Sequence, residues 1–190
     1  MLRSDPELLD GLAARRDGAF EELVEAYTGR LYGLAWRVTG SREDAEEAVQ
    51  DALGRAHGAL LGSYSPERVR SLALKPWLYA VTLNAARNRR RGRRVHQSLD
   101  APRGDGAVLD PAAETPGPPA LAERAELAAA IEAALGELSE RQRTAIVLRW
   151  IEGLTYDEAA AVLGRPAVTI RSDVHRGLRA LRGRLDGLLD

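Results

Sequence analysis

The sequence lacks cysteine and any long apolar run. The absence of cysteine from its 190 residues excludes a disulfide framework, a thiol nucleophile and a cysteine-based zinc site. The three histidines are scattered along the sequence, so we expect no structural metal. We also expect no cofactor. No apolar run approaches the roughly 18–20 residues that span a bilayer. The first ten residues lack the basic-then-apolar layout of a signal peptide, so we expect a soluble, cytoplasmic protein.

Aromatic residues are also scarce, at 5%, although 45% of the chain is hydrophobic. Its cores must therefore consist mostly of leucine, alanine and valine, a mixture that favours helices over sheets. No stretch alternates as a strand does, and no segment repeats. The composition predicts an all-α fold.

Lysine is almost absent, and the charges are segregated along the chain. Lys75 is the single lysine, so arginine supplies the other 26 basic side chains. Residues 75–99 carry seven basic side chains and no acidic one, whereas residues 100–140 carry two and nine. Arginine suits phosphate and base recognition better than lysine does. A GC-rich coding bias would produce the same preference, and the sequence leaves both explanations open.

A linker divides the chain into two lobes. The stretch "RGDGAVLDPAAETPGPPA" (Arg103–Ala120) is rich in Gly, Pro, Ala and acidic residues and has too few large apolar side chains to form a core. We therefore predict two small helical domains, at residues 1–97 and 121–190, joined by a flexible acidic linker at 98–120.

In the first lobe, apolar residues recur at helical spacing until Gly40, and Ser41 follows as a predicted N-cap. A further helix is predicted to begin near Pro76. Its apolar stripe leads directly into the arginine run "RNRRRGRRVHQ" (Arg87–Gln97), and Gly92 is expected to end the helix.

The second lobe carries a predicted helix-turn-helix. Ser139 is expected to cap a helix with Trp150 on its apolar side. Thr155 and Glu158 then form a capping box, and Gly164 ends that short helix. A last helix follows, with Ile170, Val174, Leu178 and Leu181 expected to point inward. The residues predicted to face away from that stripe are Thr169, Arg171, Ser172, His175, Arg176 and Arg179.

Such a helix can lie in a major groove and contact base edges. The alternative is an ordinary helical hairpin. Asp173 is the one acidic residue on this helix and would repel phosphate. It is expected either to accept a hydrogen bond from a cytosine amino group or to pair with Arg176 or Arg165.

Three quoted segments, in this order and spacing around an acidic linker, resemble the extracytoplasmic-function (ECF) sigma factors of bacterial transcription. They are "DAEEAVQD" (Asp44–Asp51), "WLYAVTLNAARNRRRGRR" (Trp77–Arg94) and "LTYDEAAAVLGRPAVTIRSDVHRGLRAL" (Leu154–Leu181). The resemblance covers nearly the whole chain. It implies a non-enzymatic initiation factor that directs core RNA polymerase to promoters through minus-thirty-five and minus-ten elements.

The resemblance also implies roles for individual residues. The residues implied to bind the clamp helices of the largest polymerase subunit are Asp44, Glu47, Gln50 and Asp51. The alternative for this acidic stretch is a helix N-terminus with a solvated face. The residues expected to capture the minus-ten strand are Tyr64, Trp77, Asn84, Arg87, Asn88 and Arg91. Trp77 has the alternative of an ordinary core tryptophan.

The chain departs from the family pattern at several positions. Asn88 stands where an aspartate is usual, Leu53 where an aromatic is usual, and Asp173 where a basic residue is usual. These departures affect the expected promoter sequence more than the assignment to this class of protein. The polymerase flap and an anti-sigma factor are further partners that the resemblance implies. A helix-turn-helix regulator that acts without polymerase is the alternative function.

Overall fold

The structure is a computed structural model that describes residues 4–100 and 119–185, with side chains described at 4–92 and 128–183. All regular elements of these residues are helical, which confirms the all-α prediction. Residues 101–118, most of the predicted linker, lie outside the described part of the chain. Helical lobes flank them on either side.

The first lobe comprises residues 4–100. Its helices are α1 (Asp5–Ala13), α2 (Ala19–Thr39), α3 (Arg42–His57), α4 (Pro66–Arg70) and α5 (Leu74–Asp100). A π-helical turn, Gly58–Ser63, extends α3.

The second lobe comprises residues 119–185. Its helices are α6 (Pro119–Gly136), α7 (Glu140–Ile146), α8 (Tyr156–Leu163) and α9 (Ala167–Leu185). A π-helical turn, Val147–Ile151, extends α7.

The predicted caps are present where the sequence placed them. Gly40 ends α2 in the left-handed region at φ 69°, which glycine adopts without strain. The Ser41 hydroxyl then accepts a hydrogen bond from the Asp44 amide at 3.3 Å. Ser139 and Thr155 each form a complete capping box, with Gln142 and Glu158 respectively. Local chemistry thus fixes where these helices begin.

Helix α1 was not expected, although its signal is in the sequence. Ser4 and Glu7 form a capping box around Asp5 and Pro6. Leu8 and Leu12 are fully buried and join the core of the first lobe. The pattern Ser-x-x-Glu with proline at the first turn would have revealed it.

The structure corrects the prediction that α5 ends at Gly92. The helix continues to Asp100, and Gly92 does not have a positive φ. A helical glycine costs only about 1 kcal/mol relative to alanine, and the arginines on either side are good helix formers.

Trp150 and Leu178 were expected to be buried and are not. Trp150 is 61% exposed because the π-helical turn at Val147–Ile151 shifts the helical phase and turns its ring outward. Leu178 is 37% exposed, since the buried side of α9 centres on Ile170, Val174 and Gly177 and leaves Leu178 at its rim.

The two lobes pack against each other. Helix α5 lies against α8, and α2 lies near α7. One cluster of buried apolar residues extends from Leu34 and Leu78 of the first lobe to Leu148 and Ile170 of the second. A smaller cluster, which includes Leu135 and Leu181, lies under α6, α7 and α9.

Candidate nucleic-acid interface

Helix α9 presents an exposed, cationic face. Ile170 and Val174 are buried on its inner side, which anchors the helix on the second lobe. Of the six residues predicted to face outward, five are exposed and Thr169 is half-buried; the exposed ones are Arg171, Ser172, His175, Arg176 and Arg179. The structure therefore brings the predicted groove-facing residues together on one side of one helix.

A glycine sets how closely α9 approaches α7. A Cβ added at Gly177 would lie 2.6 Å from Ile146 Cδ1 and 3.3 Å from Gln142 Cβ. A side chain at this position would require the end of Ile146 to rotate away and Gln142 to shift by a few tenths of an ångström. Glycine therefore lets α9 pack closely against α7.

Asp173 pairs with arginines on both sides. Its carboxylate accepts a hydrogen bond from Arg176 at 2.8 Å and another from Arg165, which lies in the turn before α9. The residue is 4% exposed. Burial acts to raise the pKa of Asp173, but the hydrogen bonds from Arg176 and Arg165 hold it below its ordinary value. Of the expected alternatives, the structure shows the arginine pairing, and with both arginines at once.

Tyr156 connects α8 to the cationic face. The guanidinium of Arg171 lies 5.0 Å from the centre of the Tyr156 ring, and that of Arg149 lies 5.2 Å from it. Arg149 also lies 5.5 Å from the Trp150 ring. Each such contact contributes about 0.5–1 kcal/mol at an exposed site. Sequence reasoning missed Tyr156 and Arg149, because only the folded turn brings them beside Arg171.

A second aromatic cluster lies in the first lobe. The rings of Tyr64 and Trp77 are 6.1 Å apart and tilted by 58°. The guanidinium of Arg68 lies 4.1 Å from the centre of the Tyr64 ring. Trp77 is half-buried and packs with one side against the core. It is therefore a core tryptophan, as the alternative expected, and it also keeps an exposed surface. Arg68 was not predicted; it lies four residues after Tyr64 in a short capped helix.

The predicted promoter residues of α5 form one stripe. At about 100° per residue, Trp77, Asn84, Asn88 and Arg91 fall within about 60° of one another around the helix. Asn84, Asn88 and Arg91 are exposed, and Arg91 donates a hydrogen bond to the side-chain oxygen of Asn88. Arg87 lies to the side of this stripe. It is half-buried and donates to Glu140 of the second lobe at 3.1 Å.

Three of the four predicted polymerase-binding residues lie together on α3. Arg89 of α5 donates to Asp51 at 2.9 Å and also to Glu47, and Asp44 adds to the negative potential around it. The hydrogen bond to Asp51 is the main reason that the pKa of Arg89 is raised. Gln50 is exposed on another side of the helix. The acidic face exists, and one of its counter-charges comes from the arginine run.

Metal and membrane sites are absent from the part of the chain that the structure describes. Its His, Asp and Glu side chains form no group that could hold a metal ion. None of its helices combines the length and the low charge that crossing a bilayer requires.

Comparison with known families agrees with this geometry. Residues 23–95 match the family "Sigma-70 region 2", and residues 128–181 match "Sigma-70, region 4". The chain is 30% identical over 174 residues to the ECF RNA polymerase sigma factor SigW of Bacillus subtilis, which covers 90% of each chain. The chain belongs to the ECF sigma factors. It is therefore a transcription initiation factor, and its partners are core RNA polymerase and promoter DNA.

Another relative and a solved structure are also similar to this ECF sigma factor. It is 36% identical over 166 residues to the ECF sigma factor SigE of Mycolicibacterium smegmatis; the match covers 86% of this chain and 60% of that relative. Among solved structures, it resembles the sigma factor RpoE of Bartonella quintana in complex with the anti-sigma factor NepR. That match has a TM-score of 0.67 and 27% identity, and it covers 89% of this chain and 98% of the other.

Proposed function

We propose that this ECF sigma factor recognises the minus-thirty-five element with α9 and the minus-ten element with the Tyr64–Trp77 cluster and α5, and that it helps to open the DNA. The observation that carries the proposal is the presence of two separate exposed surfaces, one on each lobe. One is cationic and helical, and the other combines aromatic rings with amides and arginine.

The α9 face suits duplex DNA. Arg171, Arg176 and Arg179 project from one helix that is anchored by its opposite side, which is the arrangement of a recognition helix in a major groove. Tyr156 restrains Arg171 before any contact with DNA, which lowers the entropy lost on binding. Asp173 is buried between two arginines and so presents little negative charge to phosphate.

The first-lobe surface suits an unpaired strand. Capturing a base outside the stack requires an aromatic surface and polar groups for its edge. Tyr64 and Trp77 supply the rings, and Asn84 and Asn88 supply exposed amides on the same side of α5. Arg91, on that stripe, would contact the backbone.

The acidic side of α3 would dock on basic residues of the polymerase clamp helices, with the second lobe on the flap. Asp44, Glu47 and Asp51 face one direction beside the buried stripe of α3, which gives the charge complementarity that such docking needs. The comparison with RpoE also makes an anti-sigma factor a proposed partner of this chain.

Two substitutions, one in each lobe, test whether the lobes have separate roles in promoter recognition. Trp77→Ala should abolish strand opening and retain binding to a minus-thirty-five duplex. Opening is measured with a fluorescent base analogue in the minus-ten element, whose emission rises when the base unstacks. Arg171→Ala should weaken minus-thirty-five binding and leave opening on a preformed fork intact. Equal loss of both activities in both variants would contradict separate roles. Tight promoter binding without any redirection of core polymerase would instead favour a polymerase-independent regulator.

A further inference from the structure

A cavity lies where the C-terminal ends of α2 and α6 meet α5 and α7. Its volume is about 240 Å³, and its charged lining residues are Arg37, Arg90, Glu132 and Arg143. None of its lining residues is proposed to contact the promoter or the polymerase. The volume is several times the roughly 30 Å³ that one water occupies, and slightly below the roughly 300–1,000 Å³ of pockets for drug-sized ligands. The cavity can therefore accommodate a small polyatomic ligand.

The lining of this cavity carries an excess of two positive charges, because three of its charged residues are arginines and one is a glutamate. Arg37 donates a hydrogen bond to Glu132 at 3.1 Å, and these two charges cancel. Arg90 donates to Glu140 at 2.6 Å, but this carboxylate does not line the cavity and also accepts a hydrogen bond from Arg87. Including Glu140 and Arg87 therefore leaves the excess unchanged.

Arg143 has no carboxylate partner among the described residues. In this part of the chain its guanidinium donates hydrogen bonds only to backbone carbonyls. These are the carbonyls of Arg37 at 2.8 Å, Gly136 at 2.7 Å and Leu138 at 3.0 Å. The pKa of Arg143 is lowered, because burial disfavours its charge and Arg90 repels it, against the attraction of Glu140. A negative charge in the cavity would offset this repulsion.

The cavity has the chemistry to bind a phosphate-bearing anion. Guanidinium groups bind phosphate oxygens through paired, charge-assisted hydrogen bonds. The side chains of Arg37 and Arg90 are 16% and 29% exposed, so their attraction to an anion is stronger than at a fully solvated site. An excess of two positive charges matches a diphosphate better than a single carboxylate. Trp36 and Leu135 line the same cavity and provide apolar surface for the rest of a ligand.

We propose that this cavity is a binding site for a small molecule that carries a diphosphate group, with Arg37, Arg90 and Arg143 as the residues that hold it. Glu132 limits the affinity, because its carboxylate lines the same cavity and occupies Arg37. The residues of the site lie outside the surfaces proposed for promoter and polymerase, so this proposal does not rest on the proposed function.

Calorimetric titration of the full chain with sodium pyrophosphate at constant ionic strength tests the site. Binding should saturate with a single site per chain, and it should raise the melting temperature, because the ligand binds the folded state. Adenosine diphosphate is the second probe and distinguishes a nucleotide from a free diphosphate; saturable binding of either supports the site. Absence of saturable binding of both at millimolar concentration would overturn the proposal, as would sodium sulfate binding with equal affinity.

Two substitutions in the cavity should change the affinity for pyrophosphate in opposite directions. Arg90→Gln should weaken binding by about tenfold or more, the loss expected for a hydrogen bond between charged groups. Glu132→Gln should strengthen binding by about threefold or more, because it removes a competing negative charge. Tighter binding cannot result from misfolding, so Glu132→Gln remains informative even if Arg90→Gln is less stable.

Arg141→Gln is the matched control, since Arg141 is exposed on α7 and does not line the cavity. This variant should bind pyrophosphate as the unsubstituted chain does. Weaker binding by Glu132→Gln, or an equal loss in Arg90→Gln and Arg141→Gln, would overturn the site. Displacement of pyrophosphate by a short single-stranded DNA would place the anion on the promoter surface instead and would also overturn it. Failure of the chain to redirect polymerase would contradict the proposed function and leave this binding measurement standing.

Discussion

The arginines of α5 and those of α9 are used in opposite ways. In α5, the side chains of Arg87, Arg89 and Arg90 all pair with carboxylates on neighbouring elements. In α9, Arg171 and Arg179 are exposed on an open face. A dense run of like charge is thus partly structural, whereas arginines spaced around one side of an anchored helix stay available for a partner. The spacing of arginines on an anchored helix therefore separates exposed side chains from paired ones better than charge density does.

The largest expected effect concerns the acidic side of α3. Asp51→Arg should weaken binding to core polymerase at least tenfold, because it reverses the charge of the proposed docking face and repels Arg89. The measurement is a titration of labelled sigma factor with core enzyme. Asp17→Arg, in the exposed turn between α1 and α2, is the control and should bind as the unsubstituted chain does. Normal binding by the Asp51 variant would remove this face from the polymerase interface.

The next effect tests whether an exposed arginine on α9 differs from an exposed arginine on another helix. Arg171→Ala should cost about 1–3 kcal/mol of minus-thirty-five binding and relax preference at one position. Arg141→Ala, an exposed arginine on α7, should change neither quantity. Competition binding against single-base promoter variants measures both. An unaltered base preference in the Arg171 variant would show that α9 is docked differently.

The third prediction concerns Asp173, the buried carboxylate of α9 that pairs with arginines. Asp173→Asn should lower the free energy of unfolding by about 1–3 kcal/mol at pH 7, because the ion pairs with Arg165 and Arg176 are lost. The pKa of Asp173 is lowered in the fold, so its contribution is present above about pH 4 and is lost as pH falls through the folded-state pKa. Chemical denaturation at pH 7 and pH 3 checks this.

The difference in the free energy of unfolding between the Asp173→Asn variant and the unsubstituted protein should therefore be smaller at pH 3 than at pH 7. A gap that is equal at the two pH values would mean that the carboxylate charge does not stabilise the fold.

The smallest effect concerns how far α5 extends. Gly92→Ala should stabilise the protein by about 0.5–1 kcal/mol, since Gly92 is exposed and helical. Gly164→Ala should do the reverse, because Gly164 has a φ of 62°. Thermal unfolding followed by circular dichroism compares the two. Destabilisation by Gly92→Ala would indicate that α5 ends there after all.

Local chemistry made most of the elements predictable. The caps at Ser41, Ser139 and Thr155 and the glycine stops at Gly40 and Gly164 act over a few residues, so the sequence alone places them. The outward residues of α9 were predictable for the same reason, since helical periodicity sorts them from Ile170 and Val174.

Contacts between distant segments were not predictable. The pairing of Arg89 with Asp51 and of Arg87 with Glu140 joins residues 38 and 53 positions apart, and no local pattern marks them. Trp150 was misplaced because a π-helical turn changes the period that the prediction assumed. The burial of Glu152 depends on the packing of the two lobes, which a linear pattern does not encode.

Promoter-directed transcription tests the central claim most directly. Purified core polymerase should initiate at a specific promoter only when this chain is added, and Arg171→Ala and Trp77→Ala should each reduce that transcript. Tight binding of the chain to promoter duplex with no change in where core polymerase initiates would contradict the account.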